Sequence, residues 1–398
     1  MRVLLINSVC GRQSTGRIVS DLQSILCEYG HDCRVAYGEK DSISRENDYH
    51  IGNEISRYFH AGLTRCLDAT GFGSFFSTNR FLNWVKDYNP DVIHLHNVHG
   101  YYINIPLLFD YLHSCEKRIV WTLHDCWSFT GHSAYCDAIG CEQWRTGCCS
   151  CPNMREYPAS IIDRSSYNWK RKKELFTGVP NLTLISPSEW LAGLVKESFL
   201  SEYPVNVIHN GVDLSRFFPS KSDFKKQMGI ERLFMILGVA FPWNRMKGFS
   251  DYLTLARLLG DEYTIVMVGL SKKQMIGLPR NVIGIEKTNS AEELAYIYSA
   301  ADLFVNLSYC ENYPTVNLEA AACGTPIITY DTGGSRESAL KYGGVVVKRG
   351  DIEAVANAID CYRASRLSKQ HTNIDRVTLD KRTALELTLK VYEEVDRD

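Results

Sequence analysis

Apolar runs and helix-period segments alternate almost from the first residue of this chain, lapse, and begin again after residue 232. In the first block, residues 3–6, 33–37, 92–96, 119–124 and 182–186 are apolar runs of strand length. Between the first two, Ile18, Val19, Leu22, Ile25, Leu26 and Tyr29 recur at three- and four-residue steps, and Gly30 closes that helix. The second block reads LFMILGVA, a helix over 249–259, TIVMVG, a helix over 291–301, LFVNL, a helix after Pro314, and PIITY. Strands that alternate with helices run parallel, and the helices then cover both faces of the sheet. The expectation is an α/β protein of two doubly wound, Rossmann-like domains. Between the blocks lies NVIHNGVDLSRFFPSKSDF (206–224), whose Asn-Gly pair, proline and lost periodicity mark a hinge. The expected domains are 1–205 and 206–382, with a final helix over about 383–398 packing back on the first. In such sheets ligands lie beyond the carboxyl ends of the strands, so a cleft between two facing domains is the expected site.

The 398 residues suffice for two cores, and 45% hydrophobic with 23% charged residues is a globular balance. The net charge is −2 and neither half is basic, which speaks against nucleic acid as a partner. The start, MRVLLINSVCGRQS, holds only four consecutive strong apolar residues, too few for a secretory signal. No stretch approaches the ~18 uncharged apolar residues of a membrane span. A soluble, cytoplasmic protein is expected. Of fourteen cysteines, Cys10, Cys27, Cys33, Cys66, Cys115, Cys126, Cys310 and Cys323 are scattered, as suits small buried hydrophobes in a reducing compartment. Five more, Cys136, Cys141, Cys148, Cys149 and Cys151, crowd into CDAIGCEQWRTGCCSC. The absence of a GxGxxG argues against a dinucleotide dehydrogenase.

The most informative stretch is ENYPTVNLEAAACGTPIIT (311–329). Pro314 suits a first helical position because it has no N–H to leave unpaired. Residues 315–323 continue the helix and Gly324 closes it. A helix start presents unpaired N–H groups and about half a positive charge, which suits a phosphate. Glu311 then lies in the loop at a strand's end, and Glu319 projects from the second turn. A carboxylate accepts two hydroxyl hydrogen bonds side by side, so each glutamate can hold a vicinal diol. A diphosphate on the helix start, with one diol on either side, describes a nucleotide-sugar. The plain alternative is a capping carboxylate and a solvent-facing helix glutamate, and the spacing alone does not choose between them.

FVNLSYCENYPTVNLEAAACGTPIITYDTGGSRE resembles the E-x7-E region of the retaining, GT-B-fold glycosyltransferases of family 4, which include sucrose-phosphate and mannosyl transferases. HLHNVHGYYINI, WTLHDCWSFTGH, ISPSEWLA and VIHNGVD carry the resemblance through nearly the whole chain. They look especially like bacterial transferases that build exopolysaccharide, capsule or O-antigen units, including those of the colanic-acid type. The resemblance implies transfer of a hexosyl unit from a nucleoside-diphosphate sugar to a saccharide, commonly a lipid-linked one. It implies retention of configuration, with no metal and no cofactor beyond the donor. An epimerase or hydrolase of the same architecture, or a nucleotide-sugar-binding subunit without catalysis, are the alternatives.

Residue by residue, Lys247 in FPWNRMKGFS matches the family lysine that binds the donor diphosphate. The arginine that usually follows the glycine of the preceding strand is missing, since the chain reads Gly238-Val239-Ala240, and Arg245 is the candidate replacement. Two cations suffice to neutralise a leaving diphosphate. Asn312, Tyr313, Pro314 and Thr315 form the helix start on which the donor is expected. Glu311 and His124 are expected at the donor sugar, acting in catalysis with Lys247, and Glu319 at the ribose. Asp125 is placed either to orient His124 or to cap the next turn. Gly16, in SVCGRQSTGRI, corresponds to a glycine loop that approaches the donor phosphates.

His94 and His96 share one strand face and, with His99, have the ligand types for zinc. Related transferases carry histidines here without a metal, and no fourth ligand is fixed, so no metal is expected. Cys136, Cys141, Cys148 and Cys151 could enclose a structural zinc, stay as reduced thiols or form a disulfide. The Asp-x-Asp at Asp396 and Asp398 gives no support to a metal-bound donor. A lipid-linked acceptor implies that the first domain approaches the inner membrane face. NWKRKKELF sets four adjacent cations beside Trp169, Leu175 and Phe176, and FGSFFSTNRFLNWVKDY adds aromatics. Either stretch is a peripheral membrane contact or a solvated helix face over ordinary core.

Overall fold

The structure, a computed structural model, describes residues 1–40, 42–364 and 375–393. Residues 394–398 of the expected final helix, with Asp396 and Asp398, lie outside the described residues. The chain divides into two compact units, Met1–His209 together with the chain from Leu385, and Asn210–Ala384.

The first unit is built on β1 (Arg2–Asn7), β2 (Asp32–Tyr37), β3 (Tyr49–His50), β4 (Val92–Leu95), β5 (Arg118–Thr122), β6 (Leu182–Ser186) and β7 (Val205–Val207), in the order β3-β2-β1-β4-β5-β6-β7. The second holds β8 (Phe234–Val239), β9 (Tyr263–Val268), β10 (Val282–Ile285), β11 (Leu303–Asn306), β12 (Ile327–Tyr330) and β13 (Val345–Val347), in the order β10-β9-β8-β11-β12-β13. Every pairing in both sheets is parallel. Both units are therefore doubly wound, as the alternation predicts. In each, the strand order reverses once, between β1 and β4 and between β8 and β11, and such reversals are where open α/β sheets bind ligands.

Alternate residues of β1 feed opposite cores. Leu4 and Ile6 join Phe81, Phe109 and Trp121 on one face. Val3 and Leu5 join Val19, Leu22 and Leu26 on the other. This two-sided burial is why the central strands read as unbroken apolar runs. The sequence reading misses β3, β7, β10 and β13, and these are the four sheet edges. They are two to four residues long and largely half-exposed, so they carry no continuous apolar signal.

Much of the segment read as a hinge is packed structure. β7 occupies its start, and Phe217 and Phe224 are buried in the second core. Val212 pairs with the chain near Asp380: its N–H donates to Leu379 O at 2.9 Å, and Lys381 N–H donates to Val212 O at 3.0 Å. The final helix, Lys381–Glu393, sends Leu385, Val391 and Tyr392 into the core that holds Val3 and Leu5. There the Tyr392 hydroxyl lies 2.6 Å from Nδ1 of the buried His94. Tyr392→Phe keeps the ring but leaves that nitrogen without a partner. It should lower stability by about 1–3 kcal/mol, read as a shift in urea midpoint at unchanged m-value. An unshifted midpoint contradicts this anchoring.

Candidate functional site

In the second unit, the segments that follow β8 and β11 are joined. A short 3-10 turn, Arg245–Lys247, is capped by Asn244, whose Oδ1 accepts from Lys247 N–H at 3.0 Å. Gly248 follows at φ +71°, where a Cβ would come within 2.2 Å of the Leu307 carbonyl oxygen, so only glycine lets the turn sit against the end of β11. Tyr309 N–H donates to Met246 O at 2.8 Å, and Asp251 Oδ2 accepts from the Tyr309 and Tyr330 hydroxyls at 2.9 and 2.8 Å. The result is that Lys247 Nζ lies 2.5 Å from Glu311 Oε1. The carboxylate side chain is only 13% exposed, so this is a partly desolvated pair. Arg245 is exposed on the same turn, near enough for its charge to act on Tyr309.

Pro314 stands at the N-cap rather than at the first helical position, and the helix runs Thr315–Ala322. The position still fits the residue, because its ring sets φ at −70°. Asn317 is fully buried one turn in. Its Oδ1 accepts from Asn306 Nδ2 at 3.0 Å, and its Nδ2 donates to the Ser335 and Ser338 hydroxyls at 3.1 and 2.9 Å. Asn210 Nδ2 donates to Tyr313 O at 2.9 Å, fixing the chain just before Pro314. Glu319 is 7% exposed, and Tyr298 donates its hydroxyl to Oε2 at 3.0 Å. The solvent-facing alternative for this glutamate is therefore excluded. Tyr313 is buried, while Asn312 and Thr315 are half-buried.

In the first unit, β1 leads to Gly16, which lies in the first turn of the helix Gln13–Glu28. A Cβ there would come within 2.9 Å of Val9 Cγ2, so the missing side chain allows the helix to pack on the loop before it. β4 leads to His96 and His99, and β5 to His124 and Asp125. Nε2 of His124 lies 3.0 Å from Nδ1 of His96. Asp125 caps the following turn, its carboxylate taking Trp127 N–H at 2.8 Å, and it also takes His99 Nε2 at 2.8 Å. His99 Nδ1 in turn lies 3.0 Å from the Tyr157 hydroxyl. Both nitrogens of His94 are committed, to Tyr392 and to Thr122 Oγ1 at 2.8 Å.

The cation run 170–173 is divided. Lys172 is 1% exposed, donates to Trp127 O and Thr130 O at 2.7 and 3.0 Å, and sits 3.4 Å from the centre of the Trp127 ring. Burial pushes its amine down to about 7. Trp169, Leu175 and Phe176 of this helix, Ser165–Phe176, are core, while Tyr167 is exposed. Phe75 and Phe76 are exposed, as are Ile55, Tyr58 and Phe59 on the helix Glu54–Leu67. Burial raises the Cys148 and Cys151 thiols to about 12 and about 11, and Cys148 Sγ accepts from Gly131 N–H at 3.2 Å. Among the described residues, no three histidine, cysteine or carboxylate side chains are grouped to hold a metal ion, and no helix is long and apolar enough to cross a membrane.

A family model described as Glycosyltransferase Family 4 matches residues 15–216, just over half of the chain. The protein belongs to glycosyltransferase family 4. A second model, Glycosyl transferases group 1, matches residues 224–375 and takes in Lys247, Glu311 and Glu319. WcaC of Escherichia coli K12, assigned as a colanic acid biosynthesis glycosyl transferase, is 26% identical over 88% of each chain. Sucrose-phosphate synthase of Thermosynechococcus elongatus superposes with a TM-score of 0.73 at 17% identity, covering 99% of this chain and 98% of its own. HepE of Anabaena, solved with UDP-glucose, does so with 0.68 at 15%, covering 99% and 100%. These likenesses give the family 4 chain its GT-B fold.

Burial holds His94 at about 3, His60 and His124 at about 4, and His96 well below the ordinary value of 6.5. As pH falls through 6.5 the unfolded chain takes up protons and the folded one does not. The stability these rings confer is thus full above about pH 6.5 and lost progressively below it, by up to about 1.4 kcal/mol per histidine and pH unit. The urea midpoint should fall steeply between about pH 6.5 and 5, before most carboxylates titrate. A midpoint constant over that range contradicts neutral buried rings.

Proposed function

We propose that the protein moves a hexosyl unit from a nucleoside-diphosphate sugar to a saccharide hydroxyl, with retention of configuration and without a metal ion. The observation that carries this reading is the meeting of Lys247 with Glu311 one short loop before the helix start at Thr315. In this reading Lys247, Arg245 and the N–H groups of that helix take the diphosphate, which competes with Glu311 for the lysine. Glu311, released, accepts two sugar hydroxyls, while Glu319, already oriented by Tyr298, holds the ribose diol. His124 is neutral and donates to the sugar or phosphate. The bond from the anomeric carbon to the phosphate oxygen breaks as the acceptor oxygen attacks the same face. The leaving diphosphate takes the acceptor proton, so no separate base is required. Fixed donors aimed at the growing phosphate charge are the largest source of rate here.

The acceptor is a growing, lipid-linked saccharide in exopolysaccharide, capsule or O-antigen assembly, a reading supported by the likeness to WcaC. The first unit meets the cytoplasmic membrane face through Phe75, Phe76, Ile55, Tyr58 and Phe59. Their helices are linked by a Ser77 to Ser56 hydroxyl bond of 3.0 Å. The complex of HepE with UDP-glucose makes uridine donors the first to try.

A panel of UDP- and GDP-sugars should yield one that raises the melting temperature in proportion to occupancy and supports transfer in EDTA. Lys247→Ala should lower kcat by about a hundredfold or more, and Glu319→Ala should weaken nucleotide binding. Unchanged transfer by Lys247→Ala would place the diphosphate elsewhere. Strict dependence on added Mn²⁺ or Mg²⁺ would overturn the metal-free mechanism, and donor turnover without acceptor would point to hydrolysis or epimerisation.

A further inference from the structure

Which nitrogen of His124 carries its proton decides what the ring can do to a ligand. Its Nε2 faces Nδ1 of His96 at 3.0 Å, with the two rings nearly parallel at 15°. Both rings are neutral, so one proton lies between these nitrogens and only two arrangements exist. In the first, His124 donates from Nε2, and His96 then carries its own proton on Nε2. That atom is buried and has no hydrogen-bond partner among the described residues. In the second, His96 donates from Nδ1, its Nε2 is a bare lone pair, and the proton of His124 sits on Nδ1. Buried N–H groups without an acceptor are rarer than buried acceptors without a donor. The second arrangement is favoured.

The surroundings agree. His94 lies 4.2 Å from His96 between ring centres, and its own two hydrogen bonds hold it there, so the His96 ring is braced against turning. His96 and His124 line a recess with Trp121, Asp125, Trp127 and Ser128. The Ser128 hydroxyl is also buried without a partner among the described residues. His96 and Ser128, each with such an atom, both line this recess, which has room for about one water-sized group. A hydroxyl there that donates to Nε2 of His96 needs the second arrangement.

We propose that His96 is a positioning residue that fixes His124 as the Nδ1–H tautomer, and that the recess beside it takes one hydroxyl, from water or from a bound saccharide. Only the consequence for transfer rests on the proposed function; the tautomer itself does not.

The test is a long-range proton–nitrogen correlation spectrum of the full chain labelled with ¹⁵N-histidine, assigned by comparison with His96→Asn and His124→Asn. The expected result is a protonated Nδ1 and a bare, hydrogen-bonded Nε2 in both rings. Protonated Nε2 on His124 overturns the proposal, whatever the fate of the activity. Asparagine offers an N–H close to the position of Nδ1 and leucine does not. His96→Asn should therefore keep the His124 tautomer and lose less kcat than His96→Leu. His96→Leu should lose kcat by at least about tenfold at unchanged UDP affinity, and wild-type kcat in that variant overturns the positioning role. A His96 Nε2 signal that moves with the sugar nucleotide but not with UDP assigns the hydroxyl to the sugar, and one unmoved but hydrogen-bonded assigns it to water. A Nε2 with no hydrogen bond in any state overturns the occupied recess. If no donor supports transfer by the wild type, the proposed function fails while the spectrum still decides the tautomer.

Discussion

A parallel sheet brings every strand to the same end, and that constraint gathers the candidate chemistry of each unit at the carboxyl edge of two strands. Where the strand order reverses, the crossovers leave in opposite directions and open a gap between them. In the second unit the gap lies between β8 and β11, and it brings together Lys247 and Glu311, which are 64 residues apart. Backbone contacts hold the two segments there: Gly248 against the Leu307 carbonyl, and Tyr309 against Met246. The side chains thus inherit their relation from the sheet rather than from flexible loops. In the first unit the same reversal, between β1 and β4, puts His96 and His99 beside the ends of β1 and β5.

Behind these groups the interior is polar and largely hydrogen-bonded. The second unit uses amides and hydroxyls, with Asn317 tying the β11 end to Ser335 and Ser338. The first uses neutral imidazoles and a buried lysine amine, with Lys172 held by two carbonyls and a tryptophan face. Networks of this kind tolerate one arrangement only, since any shift leaves a desolvated donor or acceptor. They make a rigid support for the groups meant to meet a ligand.

The central strands were legible because burial on both faces writes an unbroken apolar run. The edges were not, because β3, β7, β10 and β13 are short and half-exposed. Glu319 illustrates a second limit. Its spacing from Glu311 is visible, but its burial depends on Tyr298 from a different helix. Asp125 caps the next turn, one of its two readings, while its bond to His99 was not legible because His99 follows a different strand. Lys172 was legible and overlooked: Trp169, Lys172 and Phe176 fall at i, i+3 and i+7, one face of a helix, so the lysine belongs with the core residues. Asn317 left a fainter trace, as a poor helix former in the first turn of a short helix.

The helix Lys381–Glu393 has a consequence for how the protein is made. Tyr392 and Val391 complete a core whose other members begin at Val3, so the ribosome must read through the entire second unit before that core can close. Until then His94 lacks its Tyr392 partner, and the core of Val3, Leu5, Val19 and Leu22 lacks the cover of Val391 and Tyr392. Its maturation is set by the passage of a distant stretch of message rather than by its own sequence.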